Sequence, residues 1–94
     1  MNKKDKIRDS IQKIGIVAIV VSNRSKNASL VNRILSEHSE IILGRLGLPR
    51  KEEDIGVITL IVEGDTDSIG SMTGKLGNIK GVSVKSLLIP IKKE

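Results

Sequence analysis

The octapeptide Ile14-Gly-Ile-Val-Ala-Ile-Val-Val21 is matched in chemistry by Ile55-Gly-Val-Ile-Thr-Leu-Ile-Val62, 41 residues further along the chain. Each copy leads into a polar loop and then into a stretch with helical spacing, so one supersecondary unit is used twice. Apolar runs of this length, rich in β-branched residues and bounded by Gly and by polar turn residues, read as buried strands rather than helices. Each unit therefore reads strand, helix, strand.

The first helix is expected over Ser25 to Glu40, where Leu30, Val31, Ile34, Leu35 and His38 form one apolar face, with Ser25 or Asn27 as N-cap. The second is expected from Thr66 to Leu76, capped by Asp65 or Thr66, with Ile69, Met72 and Leu76 inward and Gly77 as a left-handed stop. Gly70, Gly74 and Gly77 lie on one helical strip, which predicts close packing by a neighbouring element. Ile41 to Leu48 supplies the second strand, ended by Pro49 and marked by Gly44 and Gly47 as a bulge or close contact. Arg50 to Asp54 turns the chain back into the third strand, and Gly81 to Ile89 makes the fourth. The order βαββαβ gives an α+β fold, the ferredoxin-like sandwich: an antiparallel four-stranded sheet with two helices on one face.

A chain of 94 residues is one domain with a thin core. Residues 1–13 read as a basic N-terminal arm, residues 14–91 as the folded domain and residues 92–94 as a frayed end. The arm carries Lys3, Lys4, Lys6, Arg8 and Lys13 against Asp5 and Asp9, and so holds most of the formal net charge of +5. A nearly balanced domain remains, so direct nucleic-acid binding is not expected. The absence of Phe, Tyr and Trp removes base stacking as well. Without Cys there is neither a disulfide nor a thiolate ligand, and a cytoplasmic location is expected. Acids within the basic start, and Ser22-Asn-Arg-Ser after the apolar run, argue against a signal peptide; no run is long enough for a membrane span.

A search for catalytic sets returns none. His38 is the sole His, so neither a His-pair metal site nor any cofactor is expected, and its place at the end of an apolar stripe suits a hydrogen-bonded helix-end residue. Gly64-Asp-Thr-Asp-Ser-Ile-Gly70 lacks the spacing and the Lys of a phosphate-binding loop. Arg45, inside a strand, requires a partner: Glu40, Glu63, a carboxylate of another subunit or an anionic ligand. Strand-to-helix loops collect ligand-facing groups, and Asn23, Arg24, Asn32, His38 and Arg45 are the polar residues that a solvated face explains least, which makes them the candidates for ligand or interface contacts.

The run Val31 to Glu53, followed by Asp67 to Lys85, resembles the iron-only hydrogenase system regulator family; its marks are Asn32, Leu35, His38, Arg45-x-Gly47-x-Pro49 and Gly74-x-Leu76-Gly77 ahead of Gly81-Val82. The resemblance extends from about Ile14 to Ile91 and implies an ACT-like regulatory or ligand-sensing domain, similar to the C-terminal domain of the nickel-responsive repressor. The repressor's nickel site does not carry over, because it needs several His and a Cys; its DNA-binding element does not fit in residues 1–13. The favoured reading is thus a non-catalytic regulatory module that oligomerises and binds a small effector or a protein partner. One alternative is a small enzyme similar to acylphosphatases, which share the fold and use an Arg and an Asn, here Arg24 and Asn32. Another is a nucleic-acid-binding module using the basic arm.

The strands also predict assembly. Val17, Ile19 and Val21 can face the helices, yet Ile16, Ala18 and Val20 on the other side are apolar too, and Val57, Thr59 and Ile61 repeat the pattern in the third strand. A sheet with one watered face alternates apolar and polar residues, and these strands do not. Ile16, Ala18, Val20, Val57, Thr59 and Ile61 are therefore expected to meet another copy, as a dimer or tetramer.

Overall fold

The computed structural model describes residues 11–91 and contains β1 (Lys13–Val21), α1 (Arg24–Glu37), β2 (Ile42–Arg50), β3 (Ile55–Gly64), α2 (Thr66–Gly77) and β4 (Val82–Pro90). The sheet order is β2-β3-β1-β4 with every neighbouring pair antiparallel, so the two copies of the repeat lie side by side at the centre. This is the ferredoxin-like βαββαβ arrangement, a four-stranded antiparallel sheet with two helices. Of the segment expected as a basic arm, residues 1–10 lie outside the described residues, as do residues 92–94, expected as the C-terminal end; Lys13, assigned to the arm above, is the first residue of β1.

Alternation decides the layers. Val17, Ile19 and Val21 of β1 and Leu60 and Val62 of β3 are buried with Val31, Ile34 and Leu35 of α1 and Ile69, Met72 and Leu76 of α2 in one core. Leu30, expected on the apolar face of α1, is exposed, because that face is narrower than the stripe in the sequence. Residues paired across β1 and β3 share a face, and the pairs Ile16 with Ile61, Ala18 with Thr59 and Val20 with Val57 put all six expected interface residues on the side away from the helices. The outer strands extend this apolar surface with Leu46 and Leu48 of β2 and Leu87 and Ile89 of β4.

Several boundaries differ from the sequence expectation for physical reasons. Neither Ser25 nor Asn27 caps α1: the N-cap is Asn23, left-handed at φ 53° and without a side-chain cap bond. The cap comes instead from Asp54 in the β2–β3 turn, whose Oδ1 accepts from the Ser25 amide at 3.0 Å and whose Oδ2 accepts from Ser25 Oγ at 2.8 Å. Helix α1 ends at Glu37 rather than Glu40, and a single 3-10 turn, Ser39–Ile41, leads into β2. Pro49 does not end β2 but lies within it, tolerated because β2 is an edge strand. The register shift at Ile42/Gly44 is the expected bulge, whereas Gly47 faces open space.

Helix α2 begins as read. Asp65 Oδ1 accepts from the Ser68 amide at 2.7 Å, and that hydrogen bonding lowers the Asp65 pKa from its ordinary value. Its end differs: Gly77 remains within the helix and Asn78, at φ −80°, is the C-cap. The glycine strip is exposed, and a Cβ at Gly70, Gly74 or Gly77 would meet nothing within 4 Å, so no element of the described chain packs there.

The left-handed glycine is Gly81, at φ 90°, in the turn between α2 and β4. Asn27 Nδ2 donates across it to Ser22 O at 2.8 Å and to Lys80 O at 3.1 Å, which ties the start of α1 to this turn. A Cβ at Gly81 would lie 3.3 Å from that amide nitrogen. Gly81→Ala is therefore expected to cost about 1–2 kcal/mol of stability, read by chemical denaturation followed by circular dichroism. A variant as stable as wild type would show that the turn relaxes freely.

Candidate functional site

The inner face of the sheet is not covered evenly. The inward positions of the edge strand β2 carry Arg45, Gly47 and Pro49, paired with Leu60, Ile58 and Gly56 of β3. None of the three contributes a large apolar side chain to the layer beneath the helices. A cleft of about 180 Å³ results between α1 and β2, walled by Val21, Ala28, Val31 and Ile58 and edged by Arg24, Asn32 and Arg45.

Each polar group is positioned by an identifiable constraint. Arg24 opens α1, its amide donating to Asp54 O at 2.8 Å, and its side chain lies across the bare backbone of Gly56. A Cβ at Gly56 would come within 3.2 Å of Arg24 Cδ, so Gly56 is the seat on which this arginine rests. Asn32, one turn beyond Ala28 on α1, accepts from the Arg45 guanidinium through Oδ1 at 2.5 Å. The partner sought for Arg45 is thus an amide rather than Glu40 or Glu63. Asn32 keeps its NH₂ group and Arg45 keeps further N–H donors for a second contact.

Charge in the cleft is unbalanced. Among the described residues neither Arg24 nor Arg45 has a carboxylate within 4.0 Å, whereas Arg50 is paired with Glu53 at 3.0 Å. Among the described residues no acidic side chain lines the cleft. Asp54 is close in sequence to its rim, but its carboxylate is committed to Ser25.

Three of the five candidates, Arg24, Asn32 and Arg45, therefore come together around one cavity, and two do not. Asn23 is adjacent but acts through its backbone, its carbonyl accepting from the amides of Lys26 and Asn27 at 2.9 Å. His38 lies at the other end of α1, buried, with its Nε2 3.5 Å from Lys75 Nζ and its backbone bridging α1 to the 3-10 turn. It serves as the hydrogen-bonded helix-end residue, and the cleft does not include it. Gly56 and Gly47, which the sequence reading did not place in a site, define the floor. The signal available for Gly56 was its matching place in the repeat beside Gly15: Gly15 permits close approach of β4, where a Cβ would lie 2.9 Å from Leu88 Cα, while Gly56 admits an arginine. Among the described residues no group of three or more His, Cys, Asp or Glu could hold a metal ion, and no helix is long and apolar enough to cross a membrane.

Known proteins share this architecture. The TM1266-like family model, provisionally described as an iron-only hydrogenase system regulator, matches residues 13–86. The structure of the uncharacterized protein TM1266 from Thermotoga maritima is 43% identical over 86% of this chain and 99% of its own, with a TM-score of 0.77. The ACT domain from the GTP pyrophosphokinase of Chlorobium tepidum is similar in fold, with 18% identity, 81% and 86% coverage of this chain and its own, and a TM-score of 0.65. A functionally unknown protein from Pediococcus pentosaceus is 13% identical over 90% of this chain and 96% of its own, at a TM-score of 0.53. No protein of curated function matches the chain.

Proposed function

Starting from a chain that belongs to the TM1266-like family of provisionally described iron-only hydrogenase system regulators, we propose a non-catalytic regulatory module that works as a homo-oligomer and responds to a small effector. The observation that carries the oligomeric part is the apolar open face of the sheet. Leu46, Leu48 and Leu87 on the edge strands are 73%, 62% and 69% exposed, and Ile16, Val20 and Ile61 on the central strands lie between them, with Ile89 further along Leu87's strand on the same face. Full burial of one such side chain is worth roughly 1.5–3 kcal/mol, so seven of them on one surface represent a large driving force for association. A second copy is the occupant favoured here, because a two-fold axis places the same apolar four-stranded face against itself. The small-effector part draws on the cleft, whose two guanidiniums lack a carboxylate partner.

Light scattering on the full chain at micromolar concentration tests the oligomer. A mass of two or four times 10.2 kDa is expected. A monomer would overturn the reading.

The enzyme alternative receives one favourable observation, since Arg24 and Asn32 line the same cleft. Acyl-phosphate chemistry needs a cradle of backbone amides for the phosphoryl group, however, and at the start of α1 the Ser25 amide is already bonded to the Asp54 carboxylate. Turnover of an acyl phosphate by the purified protein, lost in Arg24→Ala, would reverse the preference.

A further inference from the structure

We propose that the α1–β2 cleft is a binding site for a small carboxylate with a short aliphatic body. The proposal deepens the effector part of the reading above and rests on it. Four features of the cleft converge on this chemistry.

Charge comes first. Arg24 and Arg45 both edge a cavity that no acidic residue lines, and neither has a carboxylate within 4.0 Å among the described residues. Guanidinium groups in a partly enclosed site bind carboxylates through paired N–H donors, and Asn32 holds Arg45 in place while keeping its own NH₂ group to offer. Space comes second. A Cβ at Gly47 would meet nothing within 4 Å, although this residue faces the helix side of the sheet where its strand neighbours in β3 and β1 are packed. Its missing side chain is the cavity.

The walls are the third feature. Val21, Val31 and Ile58 line the same cleft as the arginines with aliphatic surface, which favours a ligand with a charged end for the guanidiniums and a hydrocarbon body. At about 180 Å³ the cleft holds the volume of roughly six waters, so the body is short. The fourth feature excludes relatives of this ligand. An amino acid would bring an ammonium group for which the described residues lining the cleft offer no carboxylate: Asp54, two residues before Gly56 of the lining, is bonded through both oxygens to Ser25. An anion is equally barred from the Ser25 amide at the α1 N-terminus, because Asp54 occupies it.

The test uses the ¹⁵N-labelled full chain at low ionic strength, titrated separately with isovalerate, inorganic phosphate and leucine while amide shifts are followed by NMR. Isovalerate is expected to give saturable shifts centred on Gly47, Gly56 and Arg45, and to bind more tightly than either phosphate or leucine. Gly47→Leu, which fills the cavity without touching a charge, is expected to weaken isovalerate by roughly tenfold or more while circular dichroism and mass stay as in wild type. Arg24→Gln and Arg45→Gln are each expected to weaken it by a similar factor.

Absence of saturable binding to any of the three would overturn the site. Equal binding of phosphate, unaffected by Gly47→Leu, would reduce it to a general cationic patch and overturn the aliphatic component. Equal binding of leucine would overturn the argument from the missing counter-charge. Isovalerate bound by an Ile16→Glu monomer but not by the wild-type oligomer would assign the arginines to a carboxylate of the neighbouring copy, and overturn the proposal. Because the cleft lies within one chain, a monomeric wild type that still bound isovalerate would remove the oligomer and leave the site standing.

Discussion

Ile16→Glu is expected to convert the proposed oligomer into a folded monomer, with association weakened more than a hundredfold. Ile16 lies on the central strand β1, about half exposed in the single chain, and its Cα partners are Ile61 on one side and Leu87 on the other. Covered by a second copy, a glutamate there would lie directly against Ile61 and Leu87, with Lys85 opposite Ala18, one same-face pair along rather than facing it. Leaving a charge buried and unpaired costs roughly 3–5 kcal/mol, and two-fold pairing introduces the substitution twice. Each 1.4 kcal/mol is about a factor of ten in affinity. In the isolated chain the same residue points to water, so circular dichroism should keep its helix and strand signal. Leu46→Lys, on the edge strand and more exposed, probes the same face from its rim. Light scattering reads both variants. Unchanged mass in both would move the contact to strand edges or helices, and loss of the folded spectrum in Ile16→Glu would show that β1 is held by more than its own sheet.

Leu60→Ala should act in the opposite way, lowering the stability of the chain itself by about 2–5 kcal/mol. Leu60 is fully buried at the centre of β3, directly between Val17 of β1 and Arg45 of β2, and belongs to the core shared by both helices. A domain of this size has a total stability of about 4–12 kcal/mol, so the loss is a large part of it. The strand neighbour Ile61, one residue away and on the other face, should be far less costly to shorten in the monomer. The comparison needs urea denaturation followed by circular dichroism, because the chain has no aromatic fluorophore. It should be made at one fixed protein concentration, since association adds to apparent stability. Equal losses for Leu60→Ala and Ile61→Ala in the Ile16→Glu background would show that the two faces are not distinct.

The layers, unlike the site, were legible along the chain. Strands β1 and β3 follow from the repeated Ile-Gly octapeptide, and the side chains that reach the core follow from period-two alternation, because neighbouring strand residues point to opposite faces. The stripe Ile69, Met72 and Leu76 was readable in α2 for the same reason, through the helical period. The Asp65 cap was readable because its partner is only three residues away. All of these are short-range patterns that one segment carries by itself.

What the tertiary structure decided has no local period. The α1 cap is an aspartate 29 residues from the amide it receives, and the amide that ties α1 to the α2–β4 turn spans 53 residues. Leu46, Leu48, Leu87 and Ile89 extend the apolar face beyond the residues expected from β1 and β3, and their common surface is fixed by the strand order β2-β3-β1-β4. The glycine strip of α2 read as a packing surface because a bare helix face usually receives a neighbour, yet nothing in the described chain approaches it. Arg24, Asn32 and Arg45 stood out in the sequence as polar residues that a solvated face explains poorly, but nothing local joined all three. Only the folding of β2 beside β3 and beneath the edge of α1 brings Asn32 to Arg45, lays Arg24 across Gly56 and leaves Gly47 facing an empty space. Sequence fixes which face each residue takes within its own element, since that depends on the backbone period alone; which residues meet across elements depends on sheet order and helix placement, which the packing of the whole core selects.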